Sequence, residues 1–210
     1  MRELERALAE VPPTRRPTVV YAHGCRGIDD DARQWGETIA GAGDAMFAPD
    51  SLASGDRAPA CGAAAPYARA DLPRLAARER ELRYALQQLL TLRWIDPERI
   101  VLLGFDHGAV VAAGWREPRE FAGFILTGWS CTSPDVRRGL ATPPDLPVLA
   151  LRWTDDPRLR DPAWNGDCQV HLGARPGSRS VLLEGSGHSV APSAEARAAV
   201  LRFLQARSFP

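Results

Sequence analysis

Short apolar runs alternate along the chain with longer stretches in which apolar residues recur every three or four positions. The runs are Thr18–Ala22, Asp44–Ala48, Ile100–Leu103, Phe121–Gly128, Pro147–Trp153 and Ser180–Leu183. Runs of this length predict strands covered on both faces, as in a parallel sheet. The helical spacing predicts helices over residues 1–10, 32–40, 75–95 and 193–206. Asp29, Asp30 and Asp31 offer N-caps for the second of these, and Asp96-Pro97 closes the third. The Leu/Trp stripe of that third helix (Leu75, Leu82, Leu86, Leu89, Leu90, Trp94) reads as core. Strands and helices alternate throughout, with no internal repeat and no linker. The pattern predicts one α/β domain over residues 1–210, a mainly parallel sheet with helices on both faces. Residues 1–16 form an N-terminal helix and lead-in, and residues 17–206 form the core.

Chemistry gathers where the predicted strands stop. The run Ile100–Leu103 leads into Gly104-Phe-Asp-His-Gly108 and then a small-residue helix start. This is the G-x-S-x-G nucleophile-elbow pattern with Asp106 where serine would stand. Thr18–Ala22 leads into His23-Gly-Cys-Arg-Gly27, a turn that can present backbone N–H groups at the sheet edge, as an oxyanion hole requires. Pro147–Trp153 leads into Thr154-Asp-Asp-Pro157, and Ser180–Leu183 into Glu184-Gly-Ser-Gly-His188. Asp106, Asp156 and His188 thus follow the chain order nucleophile, acid, histidine of the α/β-hydrolase triad. Open α/β sheets place their sites outside the carboxyl ends of the strands.

Composition narrows the choice of function. Twenty-six basic residues balance 26 acidic ones, which leaves no charge excess for nucleic acid or an anionic membrane. Every basic residue is arginine, so lysine Schiff bases and Walker-type phosphate loops are excluded. No apolar stretch approaches a membrane span and residues 1–10 carry no apolar leader, so the expected address is cytoplasmic. Cys25, Cys61, Cys131 and Cys168 have no C-x-x-C spacing, so neither a metal nor a cofactor is expected. Cys25 and Cys61 follow neighbouring strands, as do Cys131 and Cys168, and two bridges over the site are geometrically possible. The absence of a leader favours reduced thiols instead.

The segments Val20–Gly27, Ala48–Ser51, Gly104–Gly108, Asp155–Pro157 and Gly185–His188 together resemble the dienelactone hydrolase branch of the α/β-hydrolase superfamily. The resemblance covers about residues 17–206. It implies a single-domain, cap-less α/β-hydrolase fold acting on a small-molecule substrate. It further implies Asp106 at the nucleophile position, His188 as base and Asp156, with Asp155 as rival, as the orienting acid. Backbone N–H groups of Cys25 and His107 would form the oxyanion hole. Arg26 and Trp129 are expected at the substrate, with Arg57 and Trp164 as further candidates; His23 is expected to bond backbone and His171 to lie at the surface.

The departure from that branch is Asp106, where cysteine or serine is usual. A carboxylate attacking an ester would form a reactive anhydride, whereas attack on an sp³ carbon bearing halide or epoxide oxygen gives an ordinary ester. His188 could then activate water to cleave it. Dehalogenases and epoxide hydrolases use G-x-D-x-G this way but insert a cap domain, for which the roughly twenty residues between Gly128 and Pro147 leave no room. Three alternatives stand beside a working nucleophile. The site could be a silenced, ligand-binding or structural homologue, with two carboxylates holding His188 protonated. It could be a nucleophile-substituted form of an esterase or lactonase. Asp106 could also act as a general base for elimination or isomerisation.

Overall fold

A computed structural model describes residues 15–53, 71–133 and 136–206. The elements in chain order are β1 (Arg16–Ala22), α1 (Asp30–Gly41), β2 (Ala45–Phe47), α2 (Leu72–Leu89), β3 (Ile95–Phe105), α3 (His107–Gly114), β4 (Gly123–Thr127), β5 (Val148–Asp155), α4 (Gln169–Leu172), β6 (Arg179–Ser186) and α5 (Ala194–Gln205). The expected helix over residues 1–10, together with Arg57 and Cys61, lies outside the described residues.

The six strands form one sheet in the order β2-β1-β3-β4-β5-β6, and every pairing is parallel. Successive residues of a strand point to opposite faces, so β1 and β3 each feed two cores. Val20, Ile100 and Leu102 pack with Leu82, Leu86 and Leu89 of α2 and Val110 of α3. Val19, Tyr21, Val101 and Leu103 pack with Trp35 and Ile39 of α1 and with Val200 and Phe203 of α5. A sheet covered on both faces is the arrangement its apolar runs predicted. No cap intervenes between β4 and β5 among the described residues.

Helix caps follow the acid and hydroxyl positions in the sequence. The Asp29 side chain accepts from Asp31 N at the start of α1, and the Ser193 side chain accepts from Ala196 N at the start of α5. The third predicted helix needs correction. It ends at Leu89, and Ile95 already belongs to β3. Thr91 and Leu92 donate to Gln88 and Leu89 carbonyls in a closing turn, and Arg16 N–H then pairs with the Trp94 carbonyl at 2.8 Å. Sheet pairing therefore captures the stretch that helical spacing had claimed. Pro97, which has no N–H, sits where the β1–β3 register shifts. The short α4 had no signal in the apolar pattern.

The cysteine expectation is also corrected. Cys131 and Cys168 form a disulfide, with Cα atoms 4.9 Å apart, and Cys25 is disulfide-bonded as well. The bond joins the loop after β4 to the start of α4, the pairing that the strand order allowed, across thirty-seven positions of sequence.

Candidate active site

The elbow is built by two glycines that cannot be replaced without collision. A Cβ on Gly104 would stand 2.3 Å from the Gly108 carbonyl oxygen, and one on Gly108 would stand 1.9 Å from the Ala22 carbonyl oxygen. With those side chains absent, β3 turns into α3 within one residue, Asp106, at φ 54° and ψ −117°. This is a costly conformation for a non-glycine residue and persists only where its surroundings impose it. The Asp106 N–H donates to the Thr127 carbonyl at 3.0 Å, while its own carbonyl accepts from Ala109 N at 3.0 Å. The bend projects the side chain over the sheet edge, where it is 1% exposed.

Around that carboxylate the strand ends converge. The Cys25 backbone N–H donates to Asp106 Oδ2 at 3.0 Å. Asp106 Oδ1 faces His188 Nε2 at 3.5 Å and Arg158 Nη2 at 3.9 Å. On the other side of the ring, His188 Nδ1 donates to Asp156 Oδ2 at 2.8 Å. Asp156, rather than Asp155, meets the imidazole; Asp155 is exposed and paired with Arg160 at 2.8 Å. The second oxygen of Asp156 accepts from Arg158 N at 2.9 Å. One carboxylate therefore orients both the imidazole and the turn that carries Arg158.

The imidazole is also fixed from behind. The Phe105 ring lies 4.9 Å from it, centroid to centroid. Trp153 Nε1 donates to the Ser189 carbonyl at 2.8 Å, and the Trp153 ring fills the space where side chains on Gly185 and Gly187 would stand. Buried Asp31 adds a further tether, accepting from the Tyr21 hydroxyl at 2.7 Å and from the Ser189 hydroxyl. Burial drives Asp31 up to about 6, although both hydrogen bonds pull the other way. Asp31 was expected only as a helix cap and Trp153 only as the end of a strand, because the part each plays here arises from which loop it touches.

His23 locks the turn that presents Cys25. Its ring is fully buried, with Nδ1 2.7 Å from the Gly24 carbonyl and Nε2 accepting from Ser51 N at 3.0 Å. A backbone N–H can only donate, so Nε2 is unprotonated and Nδ1 carries the proton. Burial and the Arg78 charge lower His23 to about 4, consistent with that neutral tautomer. His107 opens α3, and its amide is thus among the first-turn N–H groups that have no acceptor inside the helix. Its ring is buried with Nε2 3.4 Å from Asp71 Oδ2.

The electrostatics form a charge sandwich. Burial alone would raise Asp106, but interaction with His188 and the charges of His107, His188 and Arg158 outweigh it and hold the carboxyl far below its usual range. Burial lowers His107 itself, so near neutrality the effect on Asp106 rests mainly on His188 and Arg158. For His188, burial is likewise opposed and overcome by Asp106 and Asp156, which raise it to about 9. The two acids on either side of the ring thus favour its protonated form.

A cavity of about 340 Å³ adjoins these groups, lined in part by Cys25, Arg26, Phe105, Arg158 and His188. Arg26 is thus on the cavity wall. Trp129 is corrected: it is 1% exposed and packs in the core beneath α3 rather than on that wall. Trp164 packs against the same core. Side-chain donors of Cys25, Asp106 and His107 fall within 4.8 Å of one another. The Cys25 sulfur is committed to a disulfide, so this trio lacks the thiolate that a metal would need.

No protein-family model matches the chain, and no curated protein matches it by sequence. Solved structures do match in fold. A Klebsiella pneumoniae protein described provisionally as a dienelactone hydrolase superposes with a TM-score of 0.65 at 16% identity, over 96% of this chain and 90% of its own. Esterase PE8 superposes at 0.63 with 20% identity, covering 92% and 93% of the two chains. A phospholipase/carboxylesterase from Dyadobacter fermentans gives 0.61 at 19% identity, with 93% of each chain covered. The chain has an α/β-hydrolase fold, without a cap among the described residues, similar to the folds of these esterase and dienelactone-hydrolase-like structures.

Proposed function

We propose that this protein is a dienelactone-hydrolase-like α/β-hydrolase that acts on a small organic substrate through an Asp106 ester. The observation that carries the reading is the division of labour within one carboxylate. Oδ2 is held by the Cys25 N–H, while Oδ1 points at the imidazole and toward Arg158. A nucleophilic carboxylate needs this arrangement. One oxygen stays anchored in the oxyanion position, and the other is left to attack an sp³ carbon and displace its leaving group.

The raised pKa of His188 favours the rival reading, a silenced pocket, since an imidazolium cannot serve as a base. Ester formation answers that objection. When Asp106 Oδ1 bonds to carbon, the carboxylate loses its charge, and one of the two groups holding the proton on His188 disappears. The imidazole then gives up its proton, to the oxygen of an opened epoxide or to solvent water after a halide has left, and can take one from a water attacking the ester carbonyl, while the Asp156 carboxylate stabilises the imidazolium that returns. The developing negative charge falls on the oxygen that already accepts the Cys25 amide.

Removing the base tests the scheme by trapping the ester. In His188→Gln, exposure to a panel of small bromoalkanes and epoxides should add one alkyl or one hydroxyalkyl group, respectively, to the intact mass, on the peptide containing Asp106. The silenced reading predicts no adduct in that variant with any electrophile of the panel. It predicts instead that Asp106→Ser gains activity on p-nitrophenyl acetate that the native chain lacks.

A further inference from the structure

The cavity beside Asp106 carries charges of both signs, but they are not equally engaged. Of its carboxylates, Asp29 caps α1, Asp30 pairs with Arg33 at 3.2 Å, and Asp31 holds Tyr21 and Ser189. Its arginines are uncommitted by comparison. Arg26 makes no hydrogen bond among the described residues. Among the described residues Arg158 has a buried Nε with no partner and two long contacts, Nη1 to Cys25 Sγ at 3.5 Å and Nη2 to Asp106 Oδ1 at 3.9 Å. A guanidinium with unused donors thus stands on the cavity wall, just beyond bonding distance of Asp106 Oδ1. Its position is not accidental, because Asp156, the residue that orients His188, also fixes the Arg158 backbone.

We propose that Arg158 is a catalytic residue that receives the leaving group as an anion, with halide as the simplest member of the class. The inference builds on the Asp106 ester. The Oδ1–carbon bond forms as the carbon–halogen bond breaks, and the bonding pair leaves with the halide toward Arg158. At that moment Asp106 becomes neutral. The cations His188, Arg158 and the buried Arg78, whose own charge feels Asp106, then lose one of the carboxylates that had balanced them. The site therefore gains its strongest preference for an anion at the step that produces one. A planar guanidinium with free N–H donors suits a small anion better than a hydrated ammonium would.

Asp106→Asn reproduces the uncharged ester state and cannot turn over, so anion binding can be measured on it separately from chemistry. Bromide titrated calorimetrically into D106N should bind, and crystals soaked in bromide should show an anomalous peak within hydrogen-bond reach of the Arg158 guanidinium. Adding Arg158→Gln should weaken that binding at least tenfold, and Arg158→Lys in its place should restore part of it. Equal affinity with and without R158Q, or bromide found only at other surface arginines, overturns the proposal. Should the glutamine variant fail to fold, the position of the peak in D106N decides the matter alone. Failure here leaves the ester reading intact, since that is read from the Asp106 adduct in His188→Gln. An adduct without bromide at Arg158 would assign the nucleophile and dismiss the anion site.

Discussion

Replacing Asp106 with asparagine removes one charge from the sandwich while keeping its shape, and the response of His188 is calculable. Oδ1 lies 3.5 Å from Nε2. At an effective dielectric of about 20, two unit charges at that separation attract by roughly 5 kcal/mol, equivalent to a ceiling of about three and a half pK units. Part of this is lost when the ring is freed to relax and water approaches, so the expected fall is roughly two units. His188 should move from about 9 to near or below neutrality. The assay is an NMR titration of the imidazole in native protein and D106N, with Asp156→Asn as the companion that removes the opposite carboxylate. A His188 pKa that shifts by less than half a unit in D106N would refute the reasoning. The proton would then be held by Asp156 or by the loop, and ester formation could not release it.

The same coupling governs stability against pH. His188 titrates at about 9 folded against an ordinary value of 6.5, so the folded state holds the extra proton between those values. The stabilisation is complete below about pH 6.5 and lost as pH rises through 9. Native protein should lose about 3 kcal/mol across that window in denaturant titrations, and D106N far less. Gly108→Ala should cost at least about 3 kcal/mol or prevent folding, because its Cβ would lie 1.9 Å from a carbonyl oxygen of β1; a thermal melt within a degree of native would contradict the elbow geometry. Removing the Cys131–Cys168 bond opens a loop of thirty-seven positions and should cost about 4 kcal/mol by chain entropy, read as the difference between Cys131→Ser and native protein under non-reducing conditions.

Which parts of the site could be read from residues alone follows from their physics. Asp106 and the elbow were legible because a one-residue turn between strand and helix demands small residues on both sides, and Gly104 and Gly108 supply them. Asp156 and His188 were expected just past the ends of two strands, and there the Asp156 carboxylate meets the His188 imidazole. Arg158 left no trace, since its place depends on an Asx turn whose purpose is visible only once Asp156 is seen bonding both partners. Trp129 follows a strand, as the candidate site residues do, yet its side chain turns into the core; a side chain's direction at a strand end is fixed by the following turn, not by the run before it. The cysteines misled for another reason: pairing depends on oxidation, which composition does not encode. Two bonded sites set Cys25 and Cys131–Cys168 at odds with the expected cytoplasmic address, because such bonds persist in oxidising surroundings. No helix among the described residues is long and apolar enough to cross a membrane.

The nucleophilic role of Asp106 is tested most directly by isotope transfer. Native protein turning over an accepted alkyl halide or epoxide many times in ¹⁸O water should incorporate the label into the Asp106 carboxylate, because each ester is cleaved by water attacking that carbonyl. Peptide mass analysis should find the increment on the Gly104–Gly108 segment and on no other acid. Sustained turnover with product labelled and Asp106 unlabelled would contradict the account, since water would then have attacked the substrate without passing through the carboxylate.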